Sequence, residues 1–533
     1  MNQVEVKRKQ IQFFSYALAG INVWIFGRKL GNNGLAYLTA ALLVFAFFWI
    51  LTGKNIPDRM GKLLRGRSAK GQYKNVSKMR RNMMLFQMAA GLLAALFCAG
   101  VGYVVLEKAF RIPYGSMILW ILCPALFFRC IQSVFLGCFQ GEGSEMPSAV
   151  SCVLRQVFYL GLGLLFLGIF GNYGEKVSLL LKRDDFTAMY GAMGVALGIL
   201  ISELLVTLFL FVIYRGSMSG RRENENGMKG TDSFAGQIGS LFPGIGGDIL
   251  RQLLFLLPLW LGLILFQRQS QDIYVSAEQY GVFAGRYLVT LLFPTLILYA
   301  GMLPGIAKTC AHLKKKEDRF AKSVFQADMQ GVFLHGMFFT IVTAVLALPI
   351  AQTLDNAVSI QLTDMFAKGS SLILWLLLLL YCSEILKMTG KGYLVLVGYG
   401  IMDIVFVIAE TVLLNLENAG SLSIVLGSVI SMACGAVVLC VIVCRQMKTW
   451  PDALRSLAIP AGCSLACGLL AFGLEKIMLP HLGAVVTVLL ELVITILLYW
   501  FLLIMLRCFK GSDFSYIPGG RLMRKLGKML RLI

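Results

Sequence analysis

The sequence predicts an all-α integral membrane protein of about fourteen transmembrane helices, built as two pseudo-symmetric six-helix lobes followed by two more helices. Three observations predict it: the composition, the recurrence of apolar stretches of bilayer length, and the uneven placement of Lys and Arg. Of 533 residues, 58% are hydrophobic and only 14% are charged, and mean hydropathy is +0.75. A soluble exterior needs far more charge than that, whereas a bilayer is itself apolar.

Crossing a hydrocarbon core of about 30 Å takes about twenty residues of helix, the fold that satisfies its own backbone polar groups there. Such stretches lie at 11–27, 35–53, 83–106, 115–138, 148–170, 189–214 and 244–266. A second set lies at 281–303, 330–352, 369–388, 393–415, 421–444, 457–478 and 483–506. The first doubles as an expected uncleaved signal anchor. The expected organisation is a first lobe at 1–217, a connecting cytoplasmic loop at 218–235 and a second lobe at 236–446. Two added helices follow at 447–508, then a basic amphipathic cytoplasmic tail at 509–533.

The net charge of +21 would raise nucleic-acid binding in a soluble protein, but here the basic residues sit in the connections. The N-terminus, alternate connections and tail hold 35 Lys and Arg, and the opposite connections hold 10. By the positive-inside rule both termini are then cytoplasmic. One cytoplasmic turn, 140–147, is acidic instead. Residues 521–533 alternate basic and apolar positions at helical spacing. That pattern suits a short helix on an anionic leaflet, or else a frayed basic terminus.

An internal repeat supports the two lobes. Gly34 and Gly281 are 247 residues apart, as are Pro57 and Pro304, and QGEG at 140–143 precedes TGKG at 389–392 by 249. With an even number of helices, both copies enter the membrane in the same sense, so the axis relating them runs along the membrane normal.

Ionisable groups at membrane depth are costly and face a partner, a cavity or water. Four arginines fall within the stretches: Arg129, Arg155, Arg251 and Arg286. Arg28 stands at a helix end, and Lys54 with Asp58 flanks Pro57 at a cytoplasmic mouth. Guanidinium groups grip phosphates in bidentate fashion, so Arg28, Arg286, Arg251, Arg155, Arg129 and Lys54 are candidate substrate-binding residues. The structural alternatives are specific: Asp248 and Arg251 pair along one helix face, Arg129 is neutralised by a neighbouring helix, and Arg155 and Arg286 snorkel. Carboxylates within the stretches include Glu203, Asp248, Glu384, Asp403, Glu410 and Glu491. Of these, Glu384, Asp403, Glu410 and Asp248 are candidates for Na⁺ or H⁺ coupling, with pairing to arginine as the alternative.

Thirteen cysteines lie almost entirely within apolar stretches. Cys440 with Cys444 and Cys463 with Cys467 have metal-like spacing, but no His is near, and they read as small packing residues. No metal, cofactor or phosphate-binding Gly-rich loop is expected.

At this point the sequence resembles the multidrug/oligosaccharidyl-lipid/polysaccharide (MOP) exporter superfamily, and within it the stage V sporulation protein B and polysaccharide-flippase branch. The resemblance rests on GRKLGNNGLAYL (27–38), TGKNIPDRMGKLLRGRSAKGQYKNV (52–76) and FLGCFQGEGSEMPSAVSCVLRQV (135–157), the last being the most specific. It implies a MATE-like, V-shaped, alternating-access transporter of a lipid-linked anionic saccharide in a bacterial cytoplasmic membrane, monomeric and not an enzyme. The related lipid II flippases carry arginines at positions similar to Arg28 and Arg286. Their second-helix arginine has no counterpart, as Phe47 and Phe48 occupy that region, and Arg155 stands where relatives carry an acid. Two other functions compete: a multidrug cation antiporter of the same fold, and a membrane-embedded glycosyltransferase or polymerase. The short outer connections weigh against the latter.

Overall fold

A computed structural model describes residues 3–183, 185–218, 232–270, 272–415, 420–509 and 517–529. Among them every regular element is a helix. In order these are α1 (Gln3–Thr52), α2 (Ile56–Ala69), α3 (Tyr73–Val104), α4 (Gly115–Gly141), α5 (Met146–Leu181), α6 (Asp185–Met218) and α7 (Phe234–Gly239). They continue as α8 (Ile245–Gln269), α9 (Ile273–Gly281), α10 (Leu288–Lys314), α11 (Asp318–Val345), α12 (Ala347–Leu354) and α13 (Ser359–Gly369). The last are α14 (Leu372–Met388), α15 (Tyr393–Leu414), α16 (Leu422–Met447), α17 (Ile459–Leu482), α18 (Ala484–Met505) and α19 (Gly520–Met529). Wider π-type turns at Val105–Ala109, Val282–Tyr287 and Ala453–Ala458 extend α3, join α9 to α10 and lead into α17.

Twelve helical segments among the described residues are long and apolar enough to span a membrane, or thirteen when α13 and α14, bent by 49° at their junction, count as one. All fourteen expected stretches fall on them, but the expected gap between the first two does not form. They are arms of one element, α1, broken only at Gly31 (φ 67°, ψ −175°). Glycine reaches that conformation without the Cβ clash other residues meet, so one residue replaces a loop. The stretch expected at 330–352 likewise starts at Asp318 and breaks after Val345. Pro349 has no N–H to offer the Val345 carbonyl, and the helix breaks there.

By contact the chain forms two compact units, Ile21–Gly285 and Met1–Gly20 with Arg286–Ile533. This grouping follows a different cut from the one suggested by the repeat. The expected connecting loop at 218–235 lies mostly outside the described residues, as do 510–516 and 530–533 of the tail.

In the 21–285 unit, α5 and α6 approach backbone to backbone. A Cβ on Gly198 would come within 2.7 Å of the Gly163 Cα, so only small residues fit, as membrane helices without a hydrophobic drive require. One apolar cluster joins Met60, Leu64, Met79, Met83 and Val134, from α2, α3 and α4. The acidic turn at 140–147 finds its reason here. Glu142 pairs with Arg80 at 2.9 Å and Glu145 with Arg65 at 3.0 Å, so the basic 54–81 segment neutralises it. In the other unit, Leu334, Phe338 and Val342 of α11 pack with Cys463 and Cys467 of α17 and Tyr499 and Leu503 of α18. The two C-terminal helices are thus fastened to α11, with the Tyr499 hydroxyl donating to the Leu334 carbonyl at 2.8 Å.

Candidate functional site

Three helices of the 21–285 unit bring polar side chains to one place. On α4, Arg129 and Gln132 are three residues apart; on α5, Arg155 and Tyr159 are four apart; on α6, Glu203 and Thr207 are four apart. Those spacings put each pair on one helix face. Arg129 Nε donates to Glu203 Oε1 at 2.8 Å, and its Nη2 donates to the Tyr159 hydroxyl at 2.8 Å. Tyr159 in turn donates to Glu203. Arg155 Nε lies 3.2 Å from the same carboxylate, and its Nη2 donates to Gln132 Oε1 at 2.5 Å. Gln132 Nε2 completes the ring on Glu203 Oε2 at 2.9 Å. The Arg129 guanidinium also lies over the rings of Phe45 (5.2 Å) and Trp49 (5.5 Å) of α1.

Glu203 is fully buried, while the Arg129 and Arg155 side chains keep 20% and 16% exposure. Two guanidinium groups therefore share one carboxylate, and one positive charge is left over inside the bundle. A buried, hydrogen-bonded charge of that kind is the feature an anion would meet.

The other candidates are placed as follows. Arg286 lies in the π-type turn before α10; its Nη2 is 3.0 Å from Asp355 Oδ2, and its Nη1 donates to the Leu354 carbonyl at the end of α12, at 2.6 Å. Arg251 pairs with Asp248 three residues back on α8. Arg28 is exposed on α1, three residues before the Gly31 break, and Lys54 is exposed in the turn between α1 and α2. Glu384 of α14 pairs with Lys9 of α1 at 2.6 Å. Asp403 and Glu410 share the face of α15 turned to α16. Glu410 accepts from the Ser423 hydroxyl at 2.9 Å and stands against Gly427, whereas neither oxygen of buried Asp403 has a hydrogen-bond partner among the described residues. The structure thus brings Arg129 and Arg155 together. The other candidate charges are spread over separate places.

Sequence reasoning missed two features. Glu203 appeared only as one in-span carboxylate among several, because nothing local says that α4 and α5 aim their arginines at it. Asp328 lies two residues before the expected stretch 330–352 and so falls outside the in-span carboxylates. It is buried on α11, its carboxylate packed on the bare Cα of Gly305 of α10, with the Tyr381 hydroxyl beside it but outside hydrogen-bond geometry. The Asp328–Gly305 spacing in sequence carries no motif that would have flagged it. Among the described residues no group of three His, Cys, Asp or Glu is arranged to hold a metal ion.

No protein-family model matches the chain. A search of solved structures finds a multidrug resistance MATE family transporter of the MOP superfamily in an inward-facing conformation, with a TM-score of 0.64 and 13% identity, covering 84% of this chain and 98% of that one. It also finds the lipid II flippase MurJ in an inward closed conformation, with a TM-score of 0.63 and 12% identity, covering 92% and 96%. The chain has the MOP exporter fold. Among curated proteins, stage V sporulation protein B of Bacillus subtilis (strain 168) is 24% identical over 306 residues. That alignment covers 55% of this chain and 55% of the relative, so just over half of the relative's length is matched. The MOP fold accounts for an all-α chain with this many apolar helices, and the relative agrees with the branch to which 135–157 pointed.

Proposed function

We propose that this protein is a flippase that carries a lipid-linked anionic saccharide, a cell-wall or polysaccharide precursor, across a bacterial cytoplasmic membrane by alternating access. It works as a transporter rather than an enzyme, with both termini cytoplasmic and Na⁺ or H⁺ coupling as the energy source. The observation that carries the reading is the surplus positive charge of Arg129 and Arg155 around Glu203. A polyprenyl carrier holds its saccharide through phosphate, and a fixed guanidinium in a low-dielectric bundle attracts that group far more strongly than one in water. Arg286, Arg251 and Arg28 remain candidates for the same substrate, Arg286 and Arg251 only where substrate displaces their carboxylates. The neighbour named a lipid II flippase supports this class of substrate.

The test is translocation of a polyprenyl-pyrophosphate-linked saccharide by the purified chain in liposomes. Arg155→Gln removes the surplus charge and leaves Arg129 and Glu203 balanced, so it should cut the rate by an order of magnitude or more while the protein stays folded. Arg155→Lys should keep part of the activity. Unchanged translocation by Arg155→Gln overturns this assignment of the site.

A second reading is a multidrug cation exporter of the same fold, as the MATE neighbour is named. What favours it is the acidic face of α15, where Asp403 and Glu410 are buried. Efflux of cationic dyes that Asp403→Asn abolishes, with no saccharide translocation, would decide for it.

A further inference from the structure

The last helix is neither a free tail nor part of the bundle core. In α19, Met523, Gly520 and Gly527 are buried and Leu526 is partly so, with Met523 joining the cluster of Leu334, Tyr499, Leu503 and Cys508. The segment before it is seated as well. Pro518 lies where a methyl on Gly301 of α10 would come within 3.1 Å of its ring, and Ile517 and Pro518 flank Gly331 of α11. One face of α19 is therefore fixed to the protein, and the opposite face is exposed. That face carries Arg521, Arg524, Lys525 and Lys528, with Leu522 at 57% and Met529 at 76% exposure between them. No acidic residue occurs from 517 to 529.

The seat has a particular height. Gly301 stands where the apolar stretch 281–303 ends, and α18, the last apolar helix, ends at Met505 close before the segment. Two apolar segments thus end at the docking level of α19. That is where hydrocarbon gives way to headgroups. A helix at this level that shows four cations and two large apolar side chains matches an anionic lipid surface in charge and polarity.

We propose that α19 is an interfacial lipid-binding helix, docked on α10, α11 and α18, whose Arg521, Arg524, Lys525 and Lys528 bind anionic phospholipid headgroups while Leu522 and Met529 enter the acyl boundary. The lipid contact is fastened through Ile517 and Pro518 to α10 and α11, so headgroup charge bears on those two helices directly.

The test is limited trypsin cleavage of the full-length protein in nanodiscs of phosphatidylglycerol or of phosphatidylcholine, with the released tail peptides read by mass spectrometry. Cleavage after Arg521, Arg524, Lys525 and Lys528 is normalised to cleavage in the basic 54–81 segment, which corrects for any effect of lipid charge on the protease. The normalised rate should be severalfold slower in phosphatidylglycerol, and high salt should erase most of the difference by screening. Leu522→Glu and Met529→Glu change exposed positions and leave the protein-facing side intact, so they should remove the lipid-dependent protection. Equal rates in the two lipids, whether both slow or both fast, overturn the proposal, as does protection that survives Leu522→Glu.

Discussion

Arg129 and Arg155 reach the same carboxylate from different helices: Arg129 Nε is 2.8 Å from Glu203 and Arg155 Nε is 3.2 Å away. The three residues join α4, α5 and α6 by charge where the bilayer gives no hydrophobic drive for helix association. Removing the shared partner leaves two guanidinium groups together, mostly buried and uncompensated. Glu203→Gln should therefore cost about 3–5 kcal/mol, the usual range for breaking a buried pair. Arg155→Gln should cost clearly less, because the pair it leaves is neutral. Thermal unfolding in detergent ranks the two, and a Glu203→Gln protein that melts no earlier than Arg155→Gln would sink the charge-sharing account.

A second close approach makes a packing prediction. Gly305 has no room for a side chain, since its missing Cβ points at the Asp328 carboxylate. Gly305→Ala must push that carboxylate away or separate α10 from α11, and overpacking of this kind costs about 1–3 kcal/mol. Asp328→Ala removes the obstacle. The double variant should therefore be more stable than the two single losses predict, and the interaction energy from a double-mutant cycle measures the contact. Additive losses would mean the two residues do not meet.

What the sequence disclosed and what it withheld divide along physical lines. Apolar length decides where helices lie, and it placed all fourteen stretches on helices. It is blind to how they join, because whether 28–34 is a loop or a kink depends on one dihedral of Gly31. Pairing along a single helix was also legible: Asp248 and Arg251 are three apart and do pair. Pairing across helices was not. Arg129 and Glu203 are 74 residues apart, Arg286 and Asp355 69 apart, and no local pattern links them. The acidic turn that broke the charge rule was visible as an exception, and its explanation by Arg65 and Arg80 needed the fold.

The acidic face of α15 separates coupling from folding. Asp403 is buried without a hydrogen-bond partner among the described residues, so its carboxyl stabilises nothing there. Asp403→Asn should leave the unfolding temperature unchanged or raise it, since there is no bond to lose and a buried polar group without a partner is already a cost. If Asp403 couples transport to an ion gradient, the same variant should lose gradient-driven accumulation while still equilibrating substrate downhill. Glu410→Ala should differ, because it removes the acceptor of the Ser423 hydroxyl and so lowers stability as well. Measuring melting and gradient dependence side by side assigns the two roles, and gradient-driven accumulation by Asp403→Asn at the wild-type level would remove Asp403 from the coupling site.

The second of the two prolines inside α10 leads to a prediction about the first helix. Pro304 has no N–H, so the Ala300 carbonyl four residues earlier loses its helical donor within an apolar segment. Gln10 of α1 supplies the replacement, its Nε2 donating to Ala300 O at 3.1 Å. Gln10→Leu should then leave that carbonyl unpaired and cost about 1–3 kcal/mol. Pro304→Ala restores a backbone donor to the same carbonyl. In that background Gln10→Leu should cost little, because the side chain no longer fills a gap. The Gln10 amide would thus be a prosthesis for a broken helical bond and not a general packing group. Denaturation of the four proteins in one detergent tests this: an equal penalty for Gln10→Leu with and without Pro304 would show that Gln10 stabilises the unit in some other way.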